Sequence, residues 1–234
     1  LPNTSHNRPG GAIQLVAALC VLLTINWVFA IARFLPNVMY MDQWDFFLPL
    51  FQGEGWWARF LQQHGPHRQG LAFVITGWIL DATSWDVRVD SLWIAAVLVV
   101  ATILALRLKW KMTGTIVMRD AWIPLMGLSL VQFETVLLTP NASHSVFPLA
   151  LILLTANIWL SSSPATRFMG AAAAGALLTV TGFGVLAAAV VTLLIAVSIL
   201  RQWHVRESAV VGPALAALMV IASAWVLLFS GYVF

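Results

Sequence analysis

The chain has 234 residues, of which 61% are apolar and only 9% charged, against about a quarter charged in a soluble domain. Long uncharged runs recur along it, so it is integral to a membrane. Its net charge of +3 comes without a basic patch, which excludes a nucleic-acid partner.

A helix needs roughly 20 apolar residues to cross the hydrocarbon, and the chain divides on that measure. The first run covers residues 11–34. It holds the one cysteine, Cys20, which reads as a small packed hydrophobe because a lone thiol makes no internal disulfide. A polar stretch, residues 35–69, follows. Further candidates are 70–85, which is short and cut by Asp81, then 89–106, 121–138 and 145–160. The apolar run 168–200 is too long for one crossing and is broken at "TGFG", Thr181 to Gly184. The last candidate is 209–229. The expectation is an all-α, polytopic transmembrane helix bundle of about seven to eight spans, in one domain covering residues 1–234 that forms the amino-terminal part of a longer chain. Strand-like alternation is absent, which argues against a barrel. "GAAAAG", Gly170 to Gly175, predicts close helix packing. Many of the twelve tryptophans fall near the ends of runs, where an amphipathic ring sits at headgroup level.

The polar stretch concentrates the chemistry. In "GWWARFLQQH", Trp56, Trp57, Phe60 and Leu61 share one helical face and Arg59, Gln62 and Gln63 the other. That predicts a short helix lying in the interface. Asp42 and Asp45 flank Trp44 at a spacing that shares one side of a helix. A carboxylate at the membrane edge takes a proton from a hydroxyl nucleophile, holds a divalent cation, or stands as a solvated loop charge. Arg68 offers a fork of donors suited to phosphate. His64 and His67 donate to phosphate, shuttle protons or bind metal. A two-histidine zinc site needs further ligands, which Asp42 or Asp45 would supply only if they converge on it, and Pro66 breaks helical spacing between the histidines, so a histidine metal site is the lesser expectation. Glu134 lies within an apolar run, as a functional intramembrane carboxylate or as one reaching the interface. Gln132 reads as a packing hydrogen bond. "NAS", Asn141 to Ser143, matches a glycosylation acceptor, and His144 and His204 read as loop residues.

The pair "MDQWDFFLPL" and "QHGPHR" resembles bacterial multi-spanning proteins of the GT-C glycosyltransferase type. Those proteins have a first helix, a loop with a pattern like D-E-W-D, then H-N-E-H-R, then a second helix. Asp42, Trp44 and Asp45 fit the first element, with Gln43 in place of its glutamate. His64, His67 and Arg68 fit the second, with Gly65 and Pro66 in place of Asn and Glu. "VQFE", Val131 to Glu134, and "TGFGVL" are weaker echoes of later elements.

The resemblance implies a transferase that moves a sugar from a polyprenyl-phosphate donor to an acceptor hydroxyl at the extracytoplasmic face of a bacterial inner membrane. It implies Asp42 as catalytic base with Asp45 second, Arg68 with His67 or His64 on the phosphate, and Trp44 and Glu134 along the substrate groove. The implied partners are the bilayer and a lipid-linked sugar; a divalent cation is the one cofactor that the loop carboxylates suggest. The alternative is a transporter or a non-catalytic scaffold subunit with a polar gate or partner-binding loop. Transport predicts ionisable residues deep in the bundle and broken helices at mid-membrane.

Orientation carries a conflict. Arg107, Lys109, Lys111 and Arg119 make one connector strongly basic, and with eight spans the positive-inside rule puts it on the same cytoplasmic side as the Asp42 loop. The resemblance puts that loop outside. A re-entrant second candidate, 70–85, would remove the conflict.

Overall fold

The structure is a computed structural model that describes residues 9–40, 43–65, 67–160, 163–205 and 208–232. The described residues are nearly all helical. Apart from connectors and turns, the described residues that are not helical form a small hairpin, β1 (Gln63–His64) paired antiparallel with β2 (His67–Arg68). Among the described residues five helical segments are long and apolar enough to cross a membrane: Gly10–Phe34, Val87–Thr113, Ala142–Trp159, Gly184–Arg201 and Val211–Phe229.

The helices run between two ends of a bundle. α1 (Pro9–Phe34) is antiparallel to α6 (Val87–Thr113). Ile13 and Val16 share a groove with Leu106 and Trp110, whereas Trp27 and Ile31 pack in a core with Ile94 and Leu98. α6 is capped by Asp86, which accepts from the Arg88 N–H at 3.0 Å, and ends at Gly114 in the left-handed region. Its start lies beside the polar loop, since Val87 N–H donates to Asn37 Oδ1 at 2.9 Å. Its finish carries the basic connector. These are the loop end and the basic end below.

The loop end holds a chain of short elements: α2 (Gln43–Phe46), α3 (Leu48–Phe51), α4 (Trp56–Leu61), the hairpin and α5 (Gly70–Ala82). α4 buries none of its residues, and Trp56 and Trp57 stay exposed, as an interfacial helix requires. α5 has 13 residues, about 20 Å of rise, which falls short of the roughly 30 Å of hydrocarbon. Both of its ends lie at the loop end. Gly70 abuts Val180 and Thr181, and Asp81 pairs with Arg59 of α4 at 2.9 Å. The segment expected as a second span is therefore one short, unbroken helix with both ends at the loop end.

Residues 118–139 return along α6 in pieces rather than as the single helix expected over 121–138. A 3-10 turn (Met118–Ala121) is fixed to the basic end by the 2.6 Å ion pair of Asp120 with Lys109. α7 (Trp122–Leu128) presses Gly127 against Thr102, where a Cβ would lie 2.6 Å from its hydroxyl oxygen. The backbone is then extended at Ser129, and a second 3-10 turn (Leu130–Gln132) leads into α8 (Phe133–Leu137). Gln132 supports the break: its amide donates to the Met126 carbonyl at 3.1 Å, an acceptor that the interrupted helix leaves without a backbone partner.

α9 (Phe147–Trp159), preceded by a π-helical turn (Ala142–Val146), runs back to the basic end. There Asn157 donates to the Leu104 carbonyl at 2.9 Å and accepts Lys111 on its own carbonyl at 2.8 Å. α10 (Pro164–Thr179), α11 (Gly184–Val205) and α12 (Ser208–Phe229) complete the bundle. The small-residue run does what its composition predicts. Ala171, Ala172, Ala174 and Gly175 are buried, and Gly170 lies so close to Ile158 that a Cβ would stand 2.8 Å from its methyl group.

The break at "TGFG" is as expected and has a tertiary cause. Gly182 has φ +52°, its N–H donates to the Arg68 carbonyl at 2.7 Å, and a Cβ there would lie 1.9 Å from the Ser143 carbonyl oxygen. Gly182→Ala is therefore expected to destabilise the protein by more than about 3 kcal/mol, through both the positive φ and the backbone clash. A thermal melt in detergent would show it as a large fall in midpoint, and an unchanged midpoint would contradict this packing.

Candidate functional site

The hairpin turns at Gly65 in the left-handed region (φ +63°) and pairs Gln63 with Arg68 and His64 with His67. Arg68 then fastens it. Its Nε donates to the Leu228 carbonyl at 2.9 Å, its Nη1 to the Leu61 carbonyl and its Nη2 to the Ser230 carbonyl. These acceptors lie at the C-terminal ends of α12 and α4, where helix carbonyls lack backbone partners and the macrodipole is negative. Burial pulls the Arg68 pKa down from the ordinary arginine range, with Tyr232 acting against it. The fork that suits phosphate is engaged inside the fold.

Next to this clamp three histidines come together from two distant segments. The rings of His67 and His144 meet edge-on at 4.5 Å, and those of His64 and His144 stack at 6.0 Å. His144 lies in the π-helical turn, an irregular backbone form frequent at functional sites. Gln69, fully buried, accepts the Ser143 hydroxyl and lies 3.5 Å from His144 Nε2. Phe46 packs on His64 at 5.8 Å, and the exposed Phe183 packs on His67 at 4.6 Å. His67 is 5% exposed, and neither of its ring nitrogens meets a hydrogen-bond partner among the described residues. Such nitrogens carry a desolvation cost that a ligand would offset. Burial first, and then the neighbouring His64, hold the His67 pKa below its ordinary value of 6.5. Neutral imidazoles each present one N–H donor and one acceptor. No group of three His, Cys, Asp or Glu among the described residues is placed to hold a metal ion.

A second polar network lies deeper. Asp90, 0% exposed, accepts Thr76 Oγ1 at 3.0 Å and Thr139 Oγ1 at 2.6 Å. Thr139 in turn accepts Gln43 Nε2 at 2.7 Å, and Gln43 Oε1 accepts the Tyr40 N–H at 2.6 Å. One chain of bonds thus joins α6, α5, the turn before α9 and the first loop. The side-chain partners that the Asp90 carboxylate meets among the described residues are two threonine hydroxyls; no cation pairs with it.

The residues singled out in the sequence are placed unevenly. His64 and His67 are brought together; Arg68 is adjacent but turned to carbonyls. Asp45 and Trp44 are exposed on α2, with Trp44 stacked on Phe51 at 6.2 Å. Glu134 is exposed on α8, and its backbone carbonyl accepts the Asn141 amide. Asp42 lies outside the described residues. His144, read as a loop residue, belongs instead to the histidine cluster. Asp90 passes in the sequence as a polar residue in the first turn of a span, with no local sign of its network. Compared with known proteins, the chain matches no family model, no curated protein and no solved structure.

Two outcomes follow. The fold favours neutral His67, so the unfolded chain protonates first as pH falls. Stability held above the ordinary value of 6.5 is then lost as pH drops through it toward the lowered folded value. Melts between about pH 8 and pH 5 are expected to show a declining midpoint whose slope is reduced in His67→Phe. Thr139→Val, which cuts the chain between Asp90 and Gln43, is expected to destabilise by about 2 kcal/mol, read as a fall in urea or thermal midpoint.

Proposed function

We propose that this chain is a GT-C-like membrane transferase that takes its sugar from a polyprenyl-phosphate donor at the loop end of the bundle. The observation that carries this reading is the meeting of His64, His67 and His144 beside the first polar loop, with unpartnered ring nitrogens on His67. The imidazole N–H groups receive the phosphate, and Arg68 stands behind them, holding the hairpin. Asp42, or failing it Asp45, takes the proton of the acceptor hydroxyl. The freed oxygen attacks the anomeric carbon, the carbon–oxygen bond to phosphate breaks, and the polyprenyl phosphate leaves with its charge met by the imidazoles.

Orientation supports the reading. With α5 lying at the loop end and residues 118–139 taken as a broken crossing, the reading has seven crossings among the described residues. The basic end then carries Arg107, Lys109, Lys111, Arg119, Arg167 and Arg201, against Arg33, Arg59, Arg68 and Arg88 at the loop end. The positive-inside rule now places the basic end in the cytoplasm and the loop end outside, in agreement with the resemblance. A second reading, a transporter, draws on the broken crossing between α7 and α8 and on the buried Asp90.

The test is transfer from a labelled polyprenyl-phosphate sugar by the purified chain in proteoliposomes. Asp42→Asn is expected to cut release of polyprenyl phosphate by about a hundredfold or more, and His67→Ala to weaken donor binding while the fold persists. Unchanged release in Asp42→Asn would sink the assignment of the base. Substrate movement across the membrane without bond cleavage, lost in Asp90→Asn, would favour the transporter.

A further inference from the structure

At the basic end, far from the histidines, a groove of about 380 Å³ opens between α1 and α6. Ile13, Val16 and Ala17 of α1 face Ile103 and Leu106 of α6, and Ile116 with the exposed Arg107 and Trp110 completes the lining. Three cations stand on the last two turns of α6, and two are already engaged. Lys109 pairs with Asp120 at 2.6 Å, and Lys111 donates to the Asn157 carbonyl at 2.8 Å. Arg107 has no hydrogen bond or ion pair to any described residue.

Arg107 is therefore an uncommitted guanidinium on a membrane-spanning helix, at the mouth of an apolar groove. It lies six residues before Thr113, the last residue of α6 (113 − 107), about 9 Å of helical rise. That is the depth at which a long side chain reaches up to the headgroup layer. Trp110 follows it by three residues and so shares its face, and an indole prefers the same layer. The planar fork suits a phosphodiester, and apolar walls suit an acyl chain. A basic pocket between membrane helices at a cytoplasmic surface is the setting in which anionic headgroups are held. A second groove of about 450 Å³, beside Trp159 and Leu194, has no charged residue in its lining, so the complementarity is specific to the first.

We infer that the α1–α6 groove holds one anionic phospholipid of the surrounding leaflet, its chain between the two helices and its phosphodiester on Arg107. The site is independent of the transferase reading. It gives α1 a lipid-mediated contact with α6 at the end where the protein's own packing leaves a gap.

The test is native mass spectrometry of the full chain released from nanodiscs of mixed phosphatidylglycerol and phosphatidylcholine. The expected result is one retained phosphatidylglycerol, favoured over phosphatidylcholine by about five- to tenfold. Arg107→Gln is expected to remove that preference. Ala17→Trp, which fills the groove and leaves the cation, is expected to lower retention of both lipids. Lys111→Gln is expected to leave the preference intact, since that ammonium is already bonded. Equal retention of the two lipids by the unaltered chain, or an unchanged preference in Arg107→Gln, would overturn the site. So would displacement of the phosphatidylglycerol by inorganic phosphate alone.

Discussion

One buried cation organises the loop end of this molecule. Arg68 has no carboxylate beside it among the described residues; it is met by carbonyls of Leu61, Leu228 and Ser230. A guanidinium placed at two helix C-termini gains from both macrodipoles and satisfies acceptors that would otherwise be orphaned. Because Arg68 Nε and Nη2 reach α12 and its own carbonyl receives Gly182, the hairpin, the "TGFG" turn and the last helix are fixed against one another. Removing the side chain would leave three acceptors and a hairpin unsupported at once.

The histidine cluster is a consequence of that arrangement. Gly182 can approach the Ser143 carbonyl only because it lacks a Cβ, and that approach brings the π-helical turn, with His144, against the hairpin. Phe46 and Phe183 then close on the rings from either side. Burial favours the neutral form of His67, which then offers an N–H donor without charge repulsion against the neighbouring rings.

The network centred on Asp90 does for the first loop what Arg68 does for the hairpin. Its bonds pass through Thr139 to Gln43, whose side chain returns to the backbone of Tyr40. The two anchors bracket the polar stretch, one near its start and one near its end. Between them α4 and α5 pack through Arg59, which pairs with Asp81 and donates to the Glu54 carbonyl at 2.8 Å. Phe46, Phe47 and Leu50 of the loop pack with Phe73, Leu80 and Val87 in an apolar core, and the two polar anchors fix it in a setting of low dielectric, where each such bond counts for more than in water.

The sequence by itself determined the class of the molecule. Its long uncharged runs require helices that satisfy their own backbone, and its small-residue run marks a close contact between α9 and α10. It also determined where the polar chemistry lies and that Thr181 to Gly184 interrupts two helices, because composition and glycine content act locally. What it left open depends on contacts between distant residues. Residues 70–85 look like a short span by hydropathy, and only the packing of helix 70–82 on α4 and on Val180 shows both ends at one side. Residues 121–138 look like one helix, and only the side-chain bond of Gln132 and the contact of Gly127 with Thr102 account for the break. His144 and Asp90 carry no local signature, since each acquires its role from partners on other segments, His67 for the one and Thr76 and Thr139 for the other. The same holds for Arg68, whose residue type announces phosphate and whose position, at two helix ends, gives it carbonyls instead.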